Sequence, residues 1–382
     1  MAETIVTGKN SGKAWYIEMV RLIAMLLISW AHFVGTGTYN LEIPGVINGV
    51  MPQPLLPGSE HTLTAAEVFT FQQFNIEFAT LGVILFFLIS GYFIPALQEK
   101  QLKRDTPWNG GLLVSRMTAF YPTMFLCVAA VGLLVWLTQS ITYSPLDYFA
   151  TATATQTFLP AQNLTIGPLW YMLVLFFTYL VCTIVPKLSL RNLPAIYLCL
   201  AFLVVLPACC AGTPLYGLLR KIAHAARYTT IPLLGSAAAL CHRDRENISK
   251  FGTVLIFGSF FGMTMLILNL AAGLYGDVGT YADKNPFLAS FLIIALMWVL
   301  NKVAGRTFEK LSPLLVWVKR VSFAFYLLHV HFGLITIYYL RNRGASVGLS
   351  LLAAYIVAIT AAVVVTLIVE KFTAFVKAQI IH

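Results

Sequence analysis

Apolar stretches close to the roughly 20 residues that cross a bilayer's hydrocarbon recur along this chain, separated by polar, Pro-rich or Gly-rich segments. Inside lipid a backbone must satisfy its own hydrogen bonds, so such stretches fold as helices and pack together. We place about ten spans, by length and apolarity. They are Trp15 to Val34, Ile76 to Leu97, Leu112 to Leu137, Leu169 to Val185, Leu193 to Ala211, Tyr228 to Leu240, Phe251 to Gly273, Phe287 to Val303, Leu314 to Leu340 and Val347 to Val369, the sixth being short. Composition agrees, since 59% of the 382 residues are hydrophobic and 10% charged. A soluble chain carries roughly 25% charged residues. Too few polar residues remain to cover a water-facing surface, which excludes a soluble enzyme, a disordered regulator and a secreted disulfide scaffold. The expected fold is all-α, a polytopic membrane helical bundle with residues 1–382 forming a single membrane domain.

The net charge of +10 does not point to nucleic acid, because leftover basic residues in a membrane chain collect in cytoplasmic loops and orient it. Lys9, Lys13, Lys100, Lys103, Arg104, Arg116, Lys187, Arg191, Arg243, Arg245, Lys250, Lys302, Arg306, Lys310, Lys319, Arg320, Lys371 and Lys377 fall on one side. The loops 35–75 and 138–168 hold no Lys or Arg, so both termini are expected to be cytoplasmic. Arg220, Lys221, Arg227, Lys284, Arg341 and Arg343 break the pattern; they read either as cations snorkelling to headgroups or as holders of an anionic or sugar-linked substrate. Segment 35–75, rich in proline, is the longest external loop and is placed to cover a site entrance. Lys9 and Lys13 ahead of an apolar run resemble a signal peptide, but Glu18 and Arg21 interrupt that run and no A-x-A site follows, so the segment is expected to stay attached. The six cysteines show no metal-ligand spacing and read as small core residues; no metal is expected.

Ionisable groups inside a span are costly and are functional candidates by default. The first span carries three: Glu18, Arg21 and His32. Arg21 and His32 are eleven residues apart. At α-helical pitch that returns to within about 20° of one face, separated by about 16 Å. Glu18 lies one turn before Arg21, and the two also read as a simple i,i+3 ion pair at the membrane boundary. A polar stripe of this kind faces the protein interior or a water-filled cavity rather than lipid. It would set a cation for an anionic donor toward the cytoplasmic end and a titrating imidazole toward the other.

Glu18, Arg21 and His32 also carry a resemblance. An acidic residue, an Arg three positions on, and then a His after ten residues resembles the opening motif of the integral-membrane acyltransferase type 3 family, with Glu in place of the usual Asp. Phe86-Phe87-Leu88-Ile89-Ser90-Gly91-Tyr92 is similar to its Phe-Phe-x-x-Ser-Gly-aromatic signature, although Ser-Gly in a span also serves as a helix-packing point. Arg116 through Tyr121-Pro122 resembles its Arg-x-x-Arg-x-x-Pro, but Ala119 stands where the second arginine belongs, so this segment supplies one arginine rather than two. Leu169-Trp170-Tyr171 looks like its Leu-Trp-aromatic span, and Ser322, Tyr326, Leu327 and His329 look like its Ser-x-x-x-Tyr-Leu-x-His. Glu370 matches its closing acidic residue. His329 and His331 cannot share a helical face, and the motif selects His329.

The resemblance covers nearly the whole chain and implies an enzyme that moves an acyl group, in the first place acetyl, from acetyl-CoA to a hydroxyl of a cell-surface or lipid-linked glycan such as lipopolysaccharide O-antigen, in a bacterial inner membrane. Acetyl-CoA is then a substrate; no tightly bound cofactor is expected. A sugar hydroxyl is a poor nucleophile at neutral pH, so a base near pKa 7 is needed, and His32 is the candidate. It either deprotonates the hydroxyl for direct attack or first takes the acyl group as an acyl-imidazole. Glu18 would position Arg21, and Arg21 with Arg116, Lys103 and Arg104 would hold the donor phosphates. Ser90, Gly91, Trp170, Tyr171, Tyr326 and His329 are expected along the substrate path. The alternative is an exporter or flippase of the same superfamily, since polar stripes in helical bundles also form transport pathways. No GxSxG elbow, HExxH, P-loop or dinucleotide fingerprint in strand context is present.

Overall fold

The computed structural model describes residues 15–35, 74, 76–103, 111–139, 142–155, 169–185, 187–275 and 279–380. Segment 36–73, which holds nearly all of the expected outer loop, lies outside them, as does Arg104. Every regular element among the described residues is helical. In chain order these are α1 (Trp15–Trp30), continued by a π-helical turn (Ala31–Gly35), α2 (Phe78–Leu102), α3 (Gly111–Gln139), α4 (Pro145–Ala152), α5 (Trp170–Ile184) and α6 (Leu193–Cys209). They are followed by α7 (Tyr216–Arg243), α8 (Lys250–Tyr275), α9 (Gly279–Val303), α10 (Gly305–Lys310), α11 (Ser312–Arg341) and α12 (Val347–Ile380).

Each of the ten expected stretches falls on one of these helices. Seven helical segments among the described residues are long and apolar enough to cross a membrane, and α5 and α6 are shorter apolar helices. The sixth stretch needs correction: it is the second half of α7, which runs from Tyr216 to Arg243. Arg220, Lys221, His224 and Arg227 hide that helix from an apolar count, yet α7 is buried without a break from Ala225 to Ala237. Polar side chains are tolerated there because protein, not lipid, surrounds them. The outer helices show the opposite pattern, with Phe251, Leu292, Leu352 and Ile356 exposed as an apolar surface for lipid. The cysteines divide likewise: Cys127, Cys182 and Cys241 are buried, whereas Cys199 and Cys209 are exposed on the outer face of α6 rather than in the core.

Contacts between helix termini give the bundle two ends. At the near end, where α1 begins, Glu18 meets Lys319 of α11 at 3.7 Å. Arg320 forks onto Glu370 of α12 there too, its Nε donating at 2.6 Å. Buried Gln98, near the end of α2, donates to the carbonyls of Cys182 (2.7 Å) and Val185 (3.1 Å) and accepts from the Leu188 N–H (2.9 Å). One amide thus satisfies the close of α5, where helix carbonyls lack partners. At the far end the Tyr339 hydroxyl of α11 donates to the Thr138 carbonyl of α3. Short α4 lies at this end and starts with a capping box: Ser144 Oγ accepts from the Asp147 N–H at 3.2 Å, and the Asp147 carboxylate accepts from the Ser144 N–H at 2.8 Å.

The centre is the crossing of α2 and α7. A Cβ on Gly91 would lie 1.8 Å from the Pro232 carbonyl oxygen, and one on Gly235 would lie 2.3 Å from that of Leu88. Only hydrogen at these positions lets the backbones approach this closely. Ser236 Oγ donates to the Gly91 carbonyl at 2.8 Å, and the Tyr197 hydroxyl of α6 donates to the Thr230 carbonyl of α7 at 2.9 Å.

Candidate active site

The polar stripe of α1 faces α11 at both of its ends. Glu18 accepts from Arg21 Nη1 at 2.7 Å and also meets Lys319, so one carboxylate holds two cations at the near end. The ion-pair reading of Glu18 and Arg21 therefore holds, but the pair is largely buried and joined to a second helix. Arg21 also lies within electrostatic reach of Tyr171. Phe120 of α3 packs on Phe323 of α11, ring centroids 4.9 Å apart. Arg116 lies one turn before Phe120, as Lys319 does before Phe323, so on these two parallel helices both cations stand at one level. Arg116 is half-buried, and its Nε has no hydrogen-bond partner among the described residues. Lys103 is not part of this group: it is exposed and pairs with Glu99 on its own helix at 3.1 Å.

Toward the far end, His32 sits in the π-helical turn that ends the first span. Such turns place an extra residue in a helix and are frequent at functional sites. His329, fully buried on α11, brings its Nε2 to 3.2 Å from His32 Nδ1, with the rings edge-on at 5.0 Å. The carbonyls around the pair assign its protons. His329 Nδ1 lies 2.9 Å from the Tyr326 oxygen and 3.2 Å from that of Phe325, both acceptors only, so the proton is on Nδ1 and Nε2 accepts. His32 Nδ1 lies between that Nε2 and the Ile28 oxygen at 2.7 Å, again two acceptors, so it carries the proton. The lone pair of His32 is left on Nε2, on the outer edge of the pair. A nitrogen base with its other nitrogen held by fixed acceptors has the arrangement of a general base and its orienting partner.

An aromatic file runs from this pair across the bundle. Tyr326 lies 6.2 Å from His329 and 5.4 Å from Tyr171, which stacks on Phe87 at 4.6 Å. Phe87 in turn meets Trp170 at 5.9 Å. The Ser90 hydroxyl is hydrogen-bonded to that of Tyr171 at 3.0 Å. Five expected residues, Ser90, Trp170, Tyr171, Tyr326 and His329, thus come together with His32. Gly91 does not join them; its place is the α2–α7 crossing, buried against Pro232. His331 is buried as well, but its Nδ1 has no partner among the described residues and it takes no part in the pair.

A family model described as an acyltransferase domain matches residues 15–371. The chain belongs to the acyltransferase type 3 family. That match spans every residue of the histidine pair, the aromatic file and the near-end cations, and makes the chain a membrane acyltransferase. No curated protein and no solved structure matches it. Among the described residues no group of three His, Cys, Asp or Glu side chains is placed to hold a metal ion.

Several members of the site went unread in the sequence. Lys319 was one cation among many, and only the fold brings it to Glu18. Glu77, at the start of α2, lies within electrostatic reach of His32. Tyr355 of α12 hydrogen-bonds Ser29 at 3.2 Å and packs on Phe33 at 4.9 Å, beside the pair. Phe87 had a signal, as part of the Phe-Phe of the second motif. The others had none, because helical contacts between distant segments leave no local pattern.

Proposed function

We propose that this acyltransferase moves an acetyl group from acetyl-CoA to a hydroxyl of a cell-surface or lipid-linked glycan in a bacterial inner membrane, with both termini cytoplasmic. The observation that carries this reading is the His32–His329 pair, which leaves one imidazole lone pair, on His32 Nε2, available as a base. In the reaction His32 Nε2 takes the proton of the acceptor hydroxyl as its oxygen attacks the thioester carbonyl. The carbon–sulfur bond breaks, and the departing thiolate takes the proton from the imidazolium, so the products are an ester and free thiol. His329 steadies the imidazolium through its Nε2. Arg21, with Arg116 and the newly recognised Lys319, is suited to the donor phosphates at the near end, since buried guanidinium groups recognise phosphate well. Glu18 is then a positioning residue for both Arg21 and Lys319.

Mass spectrometry of surface glycans from cells carrying the wild type, His32→Ala or no protein, at matched membrane levels, tests this. The expected result is a mass gain of one acetyl group with wild type alone. Equal acetylation by His32→Ala would remove the histidine mechanism. Unmodified glycan whose export changes with the protein would replace transfer by transport.

A further inference from the structure

On the far half of α7, Arg220, His224 and Arg227 follow at spacings of four and three residues, which puts them on one stripe of the helix. Arg227 is 5% exposed, and the ring of its neighbour Tyr228 lies 6.4 Å from that of Phe87, midway along α2. Its Nη2 lies 3.2 Å from His224 Nδ1 and 3.3 Å from the Tyr228 hydroxyl, and its guanidinium stands over the Tyr228 ring at 4.6 Å. Trp170 closes the cluster, 5.2 Å from Tyr228 and 6.1 Å from His224. Arg220 lies over the Tyr275 ring at 5.7 Å, and His224 and Trp170 are half-buried, so the stripe leads inward from the far end. Holding a guanidinium at this depth is costly, and an intramembrane arginine marks a functional site.

We infer that Arg220, His224, Arg227, Trp170 and Tyr228 form the seat of a phosphate-bearing saccharide, such as a lipid-linked sugar diphosphate. A guanidinium offers a planar fork to phosphate oxygens. The aromatic faces of Trp170 and Tyr228 fit the apolar face of a sugar ring. Two arginines on one stripe favour an anion over a neutral sugar. The seat is not separate from the histidines: Trp170 touches Phe87, the first ring of the file that ends at His329 and His32. A saccharide held by its phosphate at Arg227 would lie along that file with a hydroxyl toward His32 Nε2. The fate of the saccharide rests on the acyl-transfer reading; its binding does not.

The test uses the full chain in nanodiscs of zwitterionic lipid, with a short-chain polyprenyl diphosphate N-acetylglucosamine as probe and the octyl glycoside of the same sugar as the uncharged comparison. Binding is read by native mass spectrometry, and thiol release from acetyl-CoA is followed in parallel. The diphosphate probe is expected to bind at least about tenfold tighter than the glycoside. Arg227→Gln is expected to weaken it about tenfold to a hundredfold, the worth of hydrogen bonds to a charged group. Arg220→Gln, at the open end of the stripe, should weaken it too and serves if Arg227→Gln fails to fold. Arg243→Gln, at the opposite end of α7, should not. Equal binding of probe and glycoside, or wild-type binding by both stripe variants, would overturn the inference. So would displacement of the probe by phosphatidylglycerol, which would make a lipid headgroup the ligand. Thiol release with stripe-independent binding removes the seat and leaves acyl transfer standing; stripe-dependent binding without thiol release does the reverse.

Discussion

Replacing His329 by leucine keeps apolar bulk on α11 and removes one acceptor from His32, so it isolates what the pair contributes. The lost bond is Nδ1–H of His32 to Nε2 of His329, at 3.2 Å. Hydrogen bonds to a charged group are worth about 1.5–3 kcal/mol, and this one becomes charge-assisted only when His32 takes its proton. Its length is at the long edge of the normal range. The Ile28 carbonyl at 2.7 Å still holds the same Nδ1–H after the substitution. The lower figure therefore applies, and about 1.5 kcal/mol is roughly tenfold in kcat. Removing the base itself, His32→Ala, should cost about a hundredfold to ten-thousandfold. The assay is thiol release from acetyl-CoA by purified protein with acceptor present. His32→Ala combined with His329→Leu should be no slower than His32→Ala alone, because a positioning residue has nothing left to position. His329→Gln, whose amide oxygen can accept, should recover part of the rate. The reasoning is refuted if His329→Leu is as slow as His32→Ala, which would make His329 the base, or if it runs at the wild-type rate.

Two further substitutions test the frame that carries the site. Gly91→Ala drives a methyl group into the Pro232 carbonyl, 1.8 Å away, and backbone cannot step aside as a flexible side chain can. It should destabilise by the upper part of the about 1–3 kcal/mol typical of overpacking, seen as a lower unfolding temperature in detergent. Gly258→Ala, inside α8 and meeting nothing within 4 Å, is the control and should hold or raise that temperature; equal behaviour of the two would dismiss the close crossing. Gln98→Leu strips partners from the Cys182 and Val185 carbonyls and the Leu188 N–H. Leaving such groups unpaired should cost at least about 1–3 kcal/mol in the same melt, and an unshifted melt would mean the clamp holds nothing.

What could be read in advance divides along physical lines. Apolar length survives as a signal wherever a helix faces lipid on some side, so the expected stretch matches α8 to within two residues at each end, whereas α9 begins eight residues before its stretch and α12 runs eleven residues past its own, where the sequence turns polar. In α7 that signal fails because Arg220, Lys221, His224 and Arg227 break the apolar run: Arg227 is enclosed by other helices, whereas Lys221 lies exposed near the helix start. Glu18, Arg21 and His32 stood out because charge inside a span is rare. The partner of His32 lies 297 residues away, and no periodicity reaches that far. The family motif pointed to His329; only packing shows that it grips His32. The π-helical turn under His32 was invisible as well, since one extra residue per turn barely changes an apolar pattern.

The α2–α7 crossing has a mechanical consequence. With Gly91 locked on Pro232, Gly235 on Leu88 and a Ser236 hydrogen bond between them, the two helices can neither slide nor roll past each other. α2 carries Phe87 and Ser90 and α7 carries Arg227 and Tyr228, the Phe87 and Tyr228 rings lying 6.4 Å apart. When the bilayer thins or thickens, the outer helices take up the change by tilting. The interlocked pair behaves as a stiff strut, so the spacing across the reaction layer stays constant while the lipid around it is remodelled.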